Sequence, residues 1–292
     1  MKTQFVKFTI GMLTALCAHS GNSATISLSQ APNGRNISGI TIEGEIARGD
    51  FQRFVALALS TPSANNVWLA SPGGDLAEAI DIGLFVRKLK MSVTAPYFRT
   101  LESVKLRSQS NNVCASACFF IYAGGVERSG AVLGIHRAFL KDADYKKMSM
   151  DDAARSYAAG QVAVRDYLDH MGVPRDITDH MAATPPDKVE WLNKDDVDRI
   201  SGFIPEYQEW VTARCGKMTP QDLSTLDNGR NKLNRGEKLN STDEAYIEAF
   251  AEKSQSRVDC KRDLLTQEQE RIRTAMVKQI AENNAQTGNR KH

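Results

Sequence analysis

The sequence carries almost no excess charge of either sign. Its 292 residues include 37 lysines and arginines against 35 aspartates and glutamates, a formal net charge of +2. Lys2 and Lys7 lie at the N-terminus, so the chain beyond them is close to neutral. Proteins that bind nucleic acid usually carry a basic surface excess. The balance of charge therefore argues against a nucleic-acid partner.

Long hydrophobic runs are also scarce. The apolar stretch from Phe8 to Ala18 is shorter than the roughly 20 residues that a membrane-spanning helix needs. It follows Lys2 and Lys7 and ends in small residues, a pattern typical of a secretory signal peptide. We therefore expect residues 1–24 to be a leader that is removed near Ser20 or Ala24. No other stretch predicts a membrane span, so we expect a periplasmic or secreted protein with no membrane association after cleavage.

Cysteine is rare, and its spacing does not indicate a metal site. Of the five cysteines, Cys17 lies in the leader, and the others form no Cys-x-x-Cys pair and have no histidine cluster beside them. An even number of cysteines in an oxidising compartment permits disulfides. We expect a Cys215–Cys260 disulfide. Cys114 and Cys118 have a spacing that suits a disulfide poorly within a regular helix, so we expect them to be buried packing residues.

Internal repeats and long low-complexity runs are absent, and the chain divides by composition near residue 205. Strand and helix patterns alternate over residues 25–205, which indicates an α/β domain. Residues 206–292 carry dense charge of both signs and predict a helical extension that ends in a disordered tail of about ten residues. The predicted strands are 40–46, 67–70, 91–95 and 130–136, and the predicted helices are 50–59, 75–90, 116 onward, 150–171 and 194–201.

Three features present in the sequence are the components of acyl-transfer chemistry. Ser116 lies between small residues at the start of an apolar helix, His136 ends a short apolar strand, and Gly73 lies in a Ser-Pro-Gly-Gly turn. A serine becomes a nucleophile when an imidazole takes its proton, and backbone N–H groups stabilise the oxyanion that follows. Each residue also has an ordinary structural interpretation, since serine is common at helix starts and a lone histidine often has a structural role.

Four blocks in this order resemble the Clp protease proteolytic subunit and its relatives in the crotonase-like superfamily, in particular the secreted, stand-alone branch. They are Ser-Pro-Gly-Gly at 71–74, Cys-Ala-Ser-Ala-Cys at 114–118, Gly-Ile-His at 134–136, and Thr-Pro-Pro-Asp with Trp-Leu at 184–192. The resemblance covers residues 38–204. It implies stacked ββα units that form a curved sheet with helices around it. It also implies assembly into homo-oligomers and no need for a metal or organic cofactor.

The resemblance assigns a role to each block. Ser116 matches the nucleophile and His136 the general base, while Gly73 and Ala117 match the two oxyanion-hole donors through their backbone N–H groups. The expected activity is that of a serine peptidase that hydrolyses peptide bonds in a peptide or protein substrate through an acyl-enzyme on Ser116.

The acid of the triad and the substrate groove follow from the same match. Asp187 is the expected acid, with Glu190 or Asp179 as alternatives because the match shifts by a residue or two in this block. Gly74 is expected to lie along an extended substrate strand.

Three other interpretations of the chain remain. The first is a non-catalytic scaffold or binding protein that keeps the fold. The second is an acyl-thioester enzyme of the crotonase kind, which needs coenzyme A in a compartment where that cofactor is scarce. The third is a Ser-Lys peptidase that uses Lys105 or Lys146 as its base.

Overall fold

The computed structural model describes residues 23–30, 37–97, 112–139 and 148–288. Most of the predicted leader, nearly all of the polar segment that precedes Asn112, and the greater part of the charged loop before Met148 lie outside these ranges. Lys105 and Lys146, the lysines of the Ser-Lys alternative, lie outside them as well.

The described residues form a mixed α/β structure. The strands are β1 (Thr25–Gln30), β2 (Ile37–Glu43), β3 (Asn66–Ala70), β4 (Ser92–Thr94), β5 (Cys114–Ala115), β6 (Glu127–Ser129), β7 (Leu133–Ile135), β8 (Glu190–Trp191) and β9 (Gly202–Phe203). The helices are α1 (Asp50–Ser60), α2 (Leu76–Lys88), α3 (Ala117–Gly124), α4 (Met150–His170), α5 (Arg175–Ala183), α6 (Lys194–Ile200), α7 (Pro205–Cys215), α8 (Pro220–Asn234) and α9 (Ser241–Gly288).

Two mixed sheets organise these elements. The larger has the order β1-β2-β3-β4-β6-β9, with β2, β3, β4 and β6 parallel and an antiparallel strand at each edge. The smaller has the order β5-β7-β8, with β5 parallel to β7 and β8 antiparallel to it. The predicted α/β class is therefore confirmed at the level of a mixed α/β fold. The finer expectation of repeated ββα units stays a prediction.

The predicted strand over 130–136 is shorter than expected: only Leu133–Ile135 form a strand, β7, and residues 130–132 separate it from β6. Gly130 has φ +123°, and its position cannot hold a side chain because a Cβ would overlap the Ala95 backbone. The chain therefore leaves the large sheet after β6 and joins the small sheet as β7. As a result, His136 follows a strand of the small sheet, the same sheet that contains β5.

Helix α3 is fully buried and is fixed at its C-terminal end by an arginine. Every residue from Ala117 to Gly124 is buried. The last carbonyls of a helix have no partner within the helix. Arg87 on α2 donates from Nε to the Gly124 carbonyl at 2.9 Å and from Nη2 to the Ala123 carbonyl at 3.0 Å. These bonds fix the helix that begins directly after Ser116.

A second arginine, Arg128, lies beside the first. Its guanidinium donates to the Gly125 carbonyl at 3.2 Å and to the Met171 carbonyl. Burial, together with the positive charge of Arg87, lowers the pKa of Arg128 to about 10. Both arginines are still cationic at neutral pH, so they complement the negative end of the helix dipole of α3.

Helix α9 packs against the α/β part through one segment of its length. Gln269 donates to the Leu89 carbonyl at 2.9 Å, Arg273 donates to the Ala58 carbonyl at 3.3 Å, and Ile272 joins the main core.

A disulfide between Cys215 and Cys260, with a Cα–Cα distance of 5.7 Å, links α7 to α9 and confirms the predicted pair. Helix α9 continues to Gly288, and the disorder of the last ten residues stays a prediction. Among the described helices, none is long and apolar enough to cross a membrane.

We expect the packing of α9 to weaken in acid through Glu268. Its carboxylate accepts from Arg271 at 2.8 Å and from Lys90 at 3.1 Å, and these two bonds, that to Arg271 foremost, lower the pKa of Glu268 to about 2. A lowered pKa in the folded state adds stability above the unfolded-state pKa of about 4.3, and this stability is lost as the pH falls towards 2. Unfolding free energies measured against pH should show Glu268→Gln less stable than the parent at pH 6, with the difference shrinking between pH 4.3 and 2. A difference that does not change with pH would contradict this assignment.

Candidate active site

Ser116 lies at a sharp turn between strand β5 and helix α3. Its backbone has φ +56° and ψ −125°, a conformation that residues other than glycine rarely adopt. The Ser116 N–H donates to the Gly134 carbonyl at 2.9 Å, and its side chain is half-buried. A strained residue of this kind persists only where the surrounding structure imposes it, and such residues cluster at functional sites.

The small sheet brings His136 next to this turn. In the parallel pair of β5 and β7, Cys114 lies opposite Leu133 and Ala115 lies opposite Gly134. Ser116 and His136 therefore leave neighbouring strands at the same edge of the sheet. The described residues form no hydrogen bond between the Ser116 hydroxyl and the imidazole, as is common in enzymes without substrate.

The imidazole of His136 is oriented by the main chain. Its Nδ1 lies 3.0 Å from the carbonyl oxygen of Arg137, and its ring lies against Phe139 with 6.0 Å between ring centroids. A carbonyl oxygen can only accept, so this contact requires the proton on Nδ1. In that tautomer Nε2 carries the free lone pair and can accept a proton from a hydroxyl.

Gly73 packs directly against the serine turn. A Cβ at this position would lie 2.6 Å from the Ser116 Cβ and 2.8 Å from the Ala115 carbonyl oxygen. The turn is tied to β5 because the Ser71 N–H donates to Val113 at 2.7 Å and the Ala115 N–H donates to Ser71 at 3.1 Å. Only glycine fits here, both for space and for its φ of +109°.

The two predicted oxyanion donors lie near each other. A Cβ on Gly73 would lie 3.0 Å from the Ala117 nitrogen, which is the first N–H of helix α3. The Ala117 N–H has no hydrogen-bond partner among the described residues, whereas the Gly73 N–H donates to the Ser71 hydroxyl at 3.1 Å. A helix N-terminus favours negative charge. The N–H groups of Gly73 and Ala117 can therefore bind an oxyanion if the Gly73 N–H donates to it in place of the Ser71 hydroxyl.

The backbone around Gly74 is hydrogen-bonded on one side, to Ile46. The Gly73 carbonyl accepts from the Ile46 N–H at 2.7 Å, and the Asp75 N–H donates to the Ile46 carbonyl at 2.8 Å. In an extended chain the intervening residue directs its own N–H and C=O to the opposite edge. Those two groups of Gly74 form no hydrogen bond among the described residues, so they can pair with an added strand.

The predicted acid is not joined to His136. Asp187 is exposed in a turn that the Lys188 N–H closes onto Pro185 at 3.1 Å, and no hydrogen bond reaches its carboxylate from any described residue. The Asp179 carboxylate accepts from Arg165 at 3.1 Å, and Glu190 lies opposite Ile135 in β8 with an exposed side chain. None of these carboxylates bonds to the imidazole in the described part of the chain.

The prediction for the two cysteines beside the serine is wrong. Cys114 and Cys118 form a disulfide with a Cα–Cα distance of 5.2 Å. The prediction failed because it assumed regular helical spacing between the two cysteines, whereas Cys114 begins β5 and only Cys118 belongs to α3. The turn at Ser116 brings them within disulfide reach.

The Arg137 carbonyl and the Ser71 hydroxyl were also missed, although Ser71 is part of the Ser-Pro-Gly-Gly block.

Comparisons with known proteins give distant structural similarity but no match in sequence. No protein-family model and no curated protein sequence match the chain. One solved structure that resembles it is a mutant of the 1510-N membrane-bound stomatin-specific protease, with a TM-score of 0.36 and 14% sequence identity. The match covers 61% of this chain and 84% of that chain. A protease is thus a distant structural neighbour of this mixed α/β fold.

Proposed function

We propose that this chain is a serine peptidase of the Clp-like type that hydrolyses peptide bonds through an acyl-enzyme on Ser116. The observation that carries the proposal is the strained backbone of Ser116 at the strand-to-helix turn, with Gly73 packed against it and His136 leaving the neighbouring strand. An ordinary helix-capping serine has no need of a positive φ.

In the proposed mechanism the Ser116 hydroxyl attacks the scissile carbonyl carbon. Nε2 of His136 takes the hydroxyl proton, and the Arg137 carbonyl holds Nδ1–H as the ring becomes charged. The same proton then passes to the departing amine. Water hydrolyses the acyl-enzyme by the reverse sequence, with His136 again as the base.

The oxyanion of each tetrahedral intermediate accepts hydrogen bonds from the N–H groups of Gly73 and Ala117. Without substrate, the Gly73 N–H donates to the Ser71 hydroxyl. When substrate is bound, the oxyanion would take the place of that hydroxyl as the acceptor. One such donor lowers the activation barrier by about 2.7–4 kcal/mol in a measured protease case. Substrate backbone lies along the unpaired edge of Gly74, which supports a peptide as the substrate class.

The proposed location is the periplasm or the exterior of the cell. Two disulfides in the described residues support it, because structural disulfides persist mainly in oxidising compartments. The leader pattern at the N-terminus is its other support. Assembly into homo-oligomers stays a prediction from the family resemblance.

A fluorophosphonate probe with a fluorescent tag tests the assignment. We expect the mature protein to be labelled, with the label on the peptide that contains Ser116. His136→Ala should reduce the labelling rate by about 10³-fold, the order at which a general base contributes. Label that persists in Ser116→Ala would overturn the proposal.

A non-catalytic scaffold is the second candidate. The observations that favour it are the missing hydrogen bond between Ser116 and His136 and the use of the Gly73 N–H by Ser71. A folded wild-type protein that takes no fluorophosphonate label and hydrolyses no peptide in a mixed library would support the scaffold function.

A substitution of Asp187 tests whether a carboxylate or the Arg137 carbonyl orients the His136 imidazole. Because the Arg137 carbonyl satisfies Nδ1 in this structure, we expect Asp187→Asn to keep the labelling rate within about tenfold of the parent. Asp179→Asn tests an alternative acid in parallel, and its carboxylate is paired with Arg165 in this structure. A loss of about 10⁴-fold in Asp187→Asn alone would show that the carboxylate acts as the triad acid, as the sequence match predicted.

A further inference from the structure

The Cys114–Cys118 disulfide closes a ring of the chain around Ser116. One cysteine begins strand β5, the other lies in the first turn of α3, and both side chains are fully buried. Ser116 is at the centre of this ring, between Ala115 and Ala117. The ring therefore contains both the proposed nucleophile and one proposed oxyanion donor.

The two sides of the turn are held unequally without the disulfide. On the strand side, the N–H groups of Cys114, Ala115 and Ser116 donate to Val132, Ser71 and Gly134 at 2.9–3.1 Å. On the helix side, the arginine contacts hold the far end of α3, and the Phe119 N–H reaches back to Ser116 itself at 3.0 Å. Cys118 is the covalent link between the first turn of α3 and the strand.

A strained residue relaxes if its neighbours can move. Ser116 could leave its positive φ by a shift of Ala117 and Cys118 relative to β5, which would turn both the hydroxyl and the Ala117 N–H away from Gly73. The disulfide opposes this shift because it fixes the separation of Cys114 and Cys118. The second disulfide lies elsewhere, between half-buried cysteines of α7 and α9, and does not contact the turn.

We propose that the Cys114–Cys118 disulfide is a positioning element that holds Ser116 and the Ala117 N–H in their reactive geometry. The inference rests on the proposed peptidase function. It assigns to the two cysteines a role in the rate of the chemical step, with no contact to substrate.

The test is a comparison of two double variants, Cys114→Ala/Cys118→Ala and Cys215→Ala/Cys260→Ala. Labelling by the fluorophosphonate probe at increasing concentration separates the apparent binding constant from the maximal rate of covalent reaction. We expect the first variant to lose at least tenfold in maximal rate with little change in the binding constant. The second variant should keep the parent rate while its thermal stability falls.

The outcomes distinguish this inference from the proposed function. If the parent is labelled on Ser116 and the folded Cys114→Ala/Cys118→Ala variant reacts at the parent's maximal rate, the positioning role is overturned and the peptidase function stands. A parent that is not labelled overturns the peptidase function and the inference with it. Circular dichroism and thermal unfolding of each variant establish that it is folded.

A chemical version of the test covers the case in which the variant does not fold. In the Cys215→Ala/Cys260→Ala background, tris(2-carboxyethyl)phosphine reduces the remaining disulfide to two thiols and becomes a phosphine oxide with oxygen from water. Alkylation and peptide mass measurement give the reduced fraction. We expect the labelling rate to fall in proportion to that fraction, and an unchanged rate in fully reduced protein would overturn the inference.

Discussion

We expect Ser116→Gly to abolish covalent labelling and peptide hydrolysis and at the same time to stabilise the fold. The hydroxyl is the proposed nucleophile, so its removal leaves no group to form the acyl-enzyme. Glycine adopts a φ of +56° without the strain of about 1–3 kcal/mol that a side chain incurs there. The greater freedom of glycine in the unfolded chain offsets part of this gain. A net stabilisation of about 1 kcal/mol remains.

Ser116→Ala is the matched control for this prediction. Alanine also removes the hydroxyl, but its Cβ keeps the backbone strain, so it should lose labelling and show little change in stability. Denaturant unfolding of the three proteins measures the difference. Equal stability of the glycine and alanine variants would mean that the turn is not strained, which would remove the observation on which the proposed function depends.

The α/β part of the fold could be predicted largely from hydrophobic periodicity. Helices α1, α2, α4 and α6 lie within a residue or two of their predicted ranges, because each is long enough for a 3.6-residue pattern to show. Strand β3 is confirmed to the same precision, whereas β2 starts and ends three residues earlier than predicted. The two-residue strands β5, β8 and β9 could not be predicted, since a pair of residues has no periodicity.

The division of the strands into two sheets could not be predicted for a different reason. Residues 130–136 have the apolar composition of a single strand, but residues 130–132, which begin with Gly130 at a positive φ, separate β6 from β7. That break transfers His136 to the sheet of Ser116. A sequence pattern reports which residues are apolar, but it does not report the backbone angle at one glycine.

The candidate site was predictable as a set of residues but not as a set of contacts. Ser116, His136 and the glycine turn were assigned from the four blocks, and the strand pairing brings their backbones to one corner. The Gly73 N–H donates to the Ser71 hydroxyl, and the His136 imidazole contacts the Arg137 carbonyl; both contacts involve main-chain groups whose direction a residue motif does not encode. The Cys114–Cys118 disulfide was missed because an assumed helix through Ser116 kept the two sulfurs apart.

The close crossing of α2 and α3 gives the second large prediction. Gly83 and Gly124 bring the two helix backbones into contact, and a Cβ on Gly124 would lie 2.7 Å from the Gly83 Cα. A Cβ on Gly83 would overlap the Tyr167 hydroxyl and lie 2.8 Å from the Phe120 carbonyl oxygen. The buried Tyr167 hydroxyl donates to that carbonyl at 2.7 Å. An alanine at position 83 therefore both overpacks the crossing and breaks a buried hydrogen bond.

We expect Gly83→Ala to destabilise the protein by about 3 kcal/mol, the sum of typical overpacking and lost-hydrogen-bond effects, and to slow labelling because α3 carries the serine turn. Gly160→Ala is the matched control. Gly160 is also inside a helix, but no atom lies within 4 Å of an added Cβ, so alanine should stabilise α4 by about 0.5–1 kcal/mol and leave labelling unchanged. Denaturant unfolding measures the change in the free energy of unfolding for each substitution. Changes of opposite sign would confirm that the contact at Gly83, and not helix propensity, decides the outcome. A stabilising Gly83→Ala would mean that α2 and α3 do not cross as closely as the glycine pair requires.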